Sequence, residues 1–164
     1  METTTTLLLT IAIVSLCAFP IVIARRNKIK KEKEFKESIS KIAGNGASIE
    51  KFDRWGTKAV ALDNLNYRLY FFSNGVNNGH KVIDLSDVQR ASLIKTHHNG
   101  GSQSSGAIRK VELYLTPKDK GQPNIELDFY DSEHDSLTIR DELQLAEKWS
   151  TILESSISKL NQEK

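Results

Sequence analysis

The residues that could do chemistry are few and scattered. His97 and His98 are adjacent. Neighbouring side chains on a strand leave on opposite faces, so the two cannot easily share one metal. Asp131, Glu133, His134 and Asp135 cluster shortly before a C-terminal helical pattern. Their chemistry suits a cation, but acids ahead of a helix N-terminus also answer the helix dipole, and that structural reading is preferred. No serine sits in a nucleophile elbow. Gly44-Asn45-Gly46 is too short for a phosphate loop and follows no strand. No paired carboxylates stand out for acid–base work. The single cysteine, Cys17, excludes an intrachain disulfide and a cysteine zinc site. The reading is therefore a non-enzyme with no catalytic residue, no metal and no cofactor.

One charged cluster has a clear physical role. Residues 25–36 carry Arg25, Arg26, Lys28, Lys30, Lys31, Lys33 and Lys36 against Glu32 and Glu34, a net of +5. The whole chain is only +2, and Glu2 precedes the cluster, so residues 37–164 sum to −2. The basic balance belongs to one short segment. The rest is not a nucleic-acid binder by charge. Cations beside an anionic leaflet gain roughly 1 kcal/mol each. They fix topology and hold the segment near the bilayer.

That assignment depends on the residues before the cluster. Residues 7–24 read LLLTIAIVSLCAFPIVIA, eighteen residues without a charge. As a helix they are roughly 27 Å long, close to the ~30 Å hydrocarbon core. Pro20 near the end is tolerated better in a membrane helix than in a soluble one. The rival is a cleaved signal peptide, giving a periplasmic domain. Against it, no basic residue precedes the apolar run, the run is long, and the charges come after it. Leu16 before Cys17 argues against a lipoprotein. The expectation is a single-pass anchor in the cell membrane, N-terminus out and C-terminal domain cytoplasmic.

The elements beyond the anchor are set by periodicity. Phe35, Ile39 and Ile42 form a short helical stripe that ends near Gly44-Asn45-Gly46. The stripe packs on the next domain or pairs with another copy, the former being preferred. From residue 47 the period falls to two. The segments SIEKFDRW, KAVALDN, YRLYFFSNG, HKVIDL, VQRASLIKTHH, IRKVELYLTP and NIELDFYD read as seven antiparallel strands. In the last two, Val111, Leu113, Leu115, Ile125, Leu127 and Phe129 point inward. Glu112, Tyr114, Glu126, Asp128 and Tyr130 point outward. NGGSQSSG, residues 99–106, reads as a flexible loop. Leu143, Ala146, Trp149, Leu153, Ile157 and Leu160 then mark one face of a helix. The expected layout is a tail over 1–6, the span over 7–24, a basic juxtamembrane helix and stalk over 25–46, and a β domain over 47–160. Its helix occupies 138–160, and 161–164 is a tail.

Seven short antiparallel strands and then one amphipathic helix resemble the pleckstrin homology (PH) superfold. Two further features resemble it: Trp149 on the inner face of LAEKWSTILESSI, and HKVIDLSDVQRASLIK, which looks like the fourth and fifth strands of bacterial and GRAM-type members. The resemblance implies a seven-stranded sandwich or partly open barrel capped by the helix. Members bind phosphoinositides, peptides or protein partners, so fold alone does not set function. Phosphoinositide binders carry cations around the first hairpin. The corresponding residues here are Lys51, Arg54 and Lys58, with Asp53 interrupting them.

The function expected from these readings is a membrane-tethered, non-enzymatic interaction module or accessory subunit. Its partners are the lipid bilayer and an unidentified protein, with strand edges and the 99–106 loop as contact regions. The alternative is a lipid- or small-ligand-binding sensor using Lys51, Arg54 and Lys58. The oligomeric state is left open, since the apolar run has no clear small-residue pairing motif.

Overall fold

The computed structural model describes residues 26, 29, 30, 33, 36, 37, 39–42, 44, 47–73, 79–98, 106–135 and 138–162. The chain divides into two compact units, Met1–Asn45 and Gly46–Lys164. The described residues from 26 to 42 are helical. Within this unit the Gly44 N–H bonds the Ser40 carbonyl at 3.1 Å, and Gly44 has φ 81°, a left-handed stop that glycine adopts without strain. Ile39 is buried. Phe35, Cys17 and the 7–24 apolar run lie outside the described residues. Among the described residues no helix is long and apolar enough to cross a membrane.

The second unit is mainly β. A four-stranded antiparallel sheet has the order β1 (Ile49–Trp55), β2 (Lys58–Asp63), β3 (Arg68–Phe72) and β4 (His80–Asp84). A second antiparallel sheet holds β5 (Val88–His97), β6 (Ile108–Pro117) and β7 (Ile125–Asp131). A 3-10 turn over Leu85–Asp87 joins β4 to β5, with the Asp84 carboxylate accepting from the Ser86 N–H. The C-terminal helix spans Glu142–Gln162.

Alternation explains the core. Val60 and Leu62 of β2, Leu69 and Phe71 of β3, and Leu113 and Leu115 of β6 meet Trp149, Leu153 and Ile157 of the helix in one cluster. Trp149 is fully buried, and its indole N–H donates to Asp53 Oδ2 at 2.9 Å. The four-stranded sheet has a second apolar surface. Ala59, Ala61, Tyr70 and Phe72 alternate with the core residues, lie outside that cluster, and are also buried. Strand β2 is thus buried along its whole length, as a strand apolar on both faces should be.

Three local readings are corrected. The β6–β7 register runs Val111↔Tyr130 and then Glu112↔Asp128, so Phe129 is an extra residue. Such a bulge reverses the facing of the residues beyond it. Tyr130 therefore turns inward and is 1% exposed, where unbroken alternation predicts it outward. The Trp55 indole N–H bonds the Phe129 carbonyl at 2.9 Å, and the two rings stack at 4.7 Å. Glu112 does lie across from Asp128, but it is buried. The helix begins at Glu142 rather than 138, its ladder opening with the Leu145 N–H on the Asp141 carbonyl.

Candidate functional site

The β6–β7 hairpin assembles the densest polar centre. Lys110 and Glu112 are two apart on β6 and so share a face. The register places Asp128 opposite Glu112. The Lys110 ammonium bridges the pair, 2.6 Å from Glu112 Oε1 and 2.8 Å from Asp128 Oδ1. Burial raises the Glu112 pKa above its usual 4.5, only partly countered by Lys110. Burial also works against the charged form of Asp128. There the hydrogen bonds from Lys110 and Glu112 win, and its pKa falls below 3.8. Lys110 is itself partly desolvated, yet its two carboxylate partners push its pKa up.

A second ion pair lies nearby. Lys58 opens β2 and is 8% exposed. Its Nζ is 2.7 Å from Asp135 Oδ2, which also accepts from the Asp131 N–H at 2.8 Å. Asp131 accepts from the Glu133 N–H at 3.0 Å and lies 3.2 Å from His134 Nδ1. Burial opposes the Asp131 charge, and these bonds overcome it to lower the pKa. Lys58, Ser73, Lys110, Asp128, Asp131 and His134 line one open cleft of about 440 Å³.

Two expectations change at this centre. The 131–135 acids precede Glu142 by more than a helical turn, so they do not serve the helix dipole, which acts within the first turn. They fold their own turn and hold Lys58. Asp131, Glu133 and His134 also bring potential ligand atoms within 4.8 Å of one another. However, Asp131 already serves the turn, and Glu133 pairs with Arg109 at 3.2 Å. The structure does bring carboxylates together, Glu112 with Asp128, which sequence reading missed. Their outward positions on adjacent strands were the available signal.

The three cations assigned to the first hairpin do not converge. Lys51 is exposed on β1. Arg54 donates to the Gly56 carbonyl at 3.1 Å, across a turn in which Gly56 has φ 49°. Lys58 is held by Asp135. Asp53 between them receives Lys148 at 2.6 Å as well as Trp149, and so ties the helix to β1. Of the basic segment, Arg26, Lys30, Lys33 and Lys36 are exposed and helical, whereas Arg25, Lys28 and Lys31 lie outside the described residues. His98 Nε2 lies 3.4 Å from Ser132 Oγ, and His97 makes no metal cluster with it among the described residues.

The other surface of note is a strand edge. Strand β5 has ten residues and, among the described residues, pairs only with β6. Beside it runs a groove of about 280 Å³ between Gln89, Arg90 and Ala91 and the helix residues Ile157, Ser158 and Asn161. Comparison with protein families, curated proteins and solved structures finds no match to this chain.

Proposed function

We propose that this chain is a membrane-tethered, non-enzymatic interaction module with a PH-like domain at the cytoplasmic face. The uncharged run over 7–24 and the cations after it support the anchor and its orientation. Two antiparallel sheets of four and three strands with a C-terminal helix, and a buried Trp149, are compatible with the PH-like resemblance.

The observation that carries the reading is the β5 edge beside the helix groove. An edge strand offers a row of backbone donors and acceptors, and an extended segment of another protein adds to such an edge. The groove floor of Ala91 and Ile157, rimmed by Gln89, Arg90, Ser158 and Asn161, suits alternating apolar and polar side chains. Tethering raises the local concentration of any membrane-borne partner, so a weak edge contact suffices.

The test is site-specific photocrosslinking in cells with the probe at Arg90 or Ser158 of the full-length chain. A single protein adduct is expected from both positions and not from a probe at Lys120. Ser158→Arg is expected to abolish the Arg90 adduct. Crosslinks that are absent, or indifferent to probe position, contradict the reading.

A further inference from the structure

The helical residues of the first unit have two unlike sides. Arg26, Lys30, Lys33, Glu37 and Lys41 recur at the i, i+4, i+7, i+11, i+15 spacing of one helix row. Ile29, Lys33, Lys36 and Ser40 form the row beside it. Every one of these residues is exposed. On the far side, Ile39 is buried and Ile42 half-buried.

The exposed face carries five cations and one carboxylate, a net of +4. The charges between them add to it: Arg25, Lys28 and Lys31 against Glu32 and Glu34 bring residues 25–42 to +5. The Lys33–Glu37 pair spans 3.9 Å with both ends exposed, and such a pair contributes little. Ile29 is 65% exposed among the cations. An apolar side chain within a basic face suits an anionic lipid surface, where the cations meet phosphates and the isoleucine enters the interface.

The uncharged run over 7–24 brings this face to the headgroups. A helix standing on the bilayer would carry Lys33 about 14 Å and Lys41 about 25 Å beyond residue 24. Both exceed the Debye length of about 8 Å at physiological salt, so their attraction to the leaflet would be screened. Laid along the leaflet, all five cations act.

We infer that the exposed face of residues 26–41 lies along an anionic leaflet, with Arg26, Lys30, Lys33, Lys36 and Lys41 on lipid phosphates and Ile29 in the interface. This rests on the anchor proposed above and adds a second, lipid-selective contact to it.

The test places an environment-sensitive nitrobenzoxadiazole dye on Ser40→Cys of the full-length chain in lipid nanodiscs, with Cys17→Ser so that the dye has one site. Nanodiscs of phosphatidylcholine and phosphatidylglycerol, mixed at about two to one, are expected to brighten and blue-shift the dye. Nanodiscs of phosphatidylcholine alone are not. Salt at about 1 M is expected to reverse the shift, since the Debye length falls to about 3 Å. The double change Lys33→Gln and Lys41→Gln keeps helix propensity. It is expected to lower the ratio of leaflet-bound to free helix about thirtyfold. Lys120→Gln is expected to leave that ratio unchanged. Retention of the chain by phosphatidylcholine nanodiscs in high salt reads the anchor separately. Loss of the chain there contradicts the anchor and the inference with it. A dye response equal in both lipids, or indifferent to the paired lysine change, overturns the inference while the anchor stands, and leaves the cations to topology alone.

Discussion

Two buried carboxylate centres in the same domain behave in opposite ways. Asp63, at the end of β2, is fully buried and surrounded by donors from its own neighbourhood. Its Oδ1 accepts from the N–H groups of Ser48 at 3.2 Å, Leu65 at 3.0 Å and Asn66 at 3.2 Å, and its Oδ2 accepts from Asn66 Nδ2 at 2.7 Å. Burial would raise its pKa, but these bonds outweigh it and hold the group below 3.8. Glu112 is also buried but shares one ammonium with Asp128, and its pKa rises. The first centre is closed and builds a turn. It sets the 63–66 reversal that delivers Tyr67 at φ 52° into β3. The second opens on a cleft that Lys110 and Asp128 line together. A buried charge is therefore no guide to function until its donors and acceptors are counted.

Stability should break this comparison most visibly at Asp63. Asp63→Ala leaves three backbone N–H groups and one amide without an acceptor and should cost ~3 kcal/mol or more in chemical denaturation. The lowered pKa fixes the sign with pH. The contribution of Asp63 is present above about pH 4 and is lost as pH falls through the folded-state pKa. Asp63→Ala should therefore flatten the acid limb of the stability curve.

Lys110→Met should cost less, ~2 kcal/mol at neutral pH, because it strands Glu112 beside Asp128. The sign is reversed here. A carboxyl with a raised folded pKa contributes fully below its unfolded value, and that contribution is lost as pH rises through the folded value. The Lys110→Met penalty should thus grow from pH 4.5 upward, and the added change Glu112→Gln should recover about half of it. Identical penalties across that window would show that Glu112 does not titrate within it.

Trp149→Phe keeps most of the packing and removes the indole bond to Asp53, for an expected ~1 kcal/mol. Lys51→Glu is the smallest change. An exposed strand charge should move stability by under ~0.5 kcal/mol.

The strands were legible because short apolar or alternating runs recur between turn residues from β1 to β7. The 63–66 turn is marked by Asp63, Asn64 and Asn66, residue types that bond their own backbone. Tyr130 was misread because one inserted residue, Phe129, is visible only in the pairing with β6. The apolar outer face of β2 and β3 was written in KAVALD and YFF, where both alternating sets are apolar. At the site, Lys58 read as a loose hairpin cation because its partner Asp135 is distant in sequence. Lys110, Glu112 and Asp128 could be placed on one outward face, but only the register sets Glu112 against Asp128.

The most direct test of this contrast is a carbon-detected NMR titration of the side-chain carboxyls of Asp63 and Glu112 in the same sample, in the parent chain and in Lys110→Met. Glu112 is expected to titrate above 4.5 and Asp63 below 3.8. Lys110→Met should move Glu112 further up and leave Asp63 where it was. Glu112 titrating at or below its usual value, or both carboxyls responding alike to Lys110→Met, would contradict the contrast.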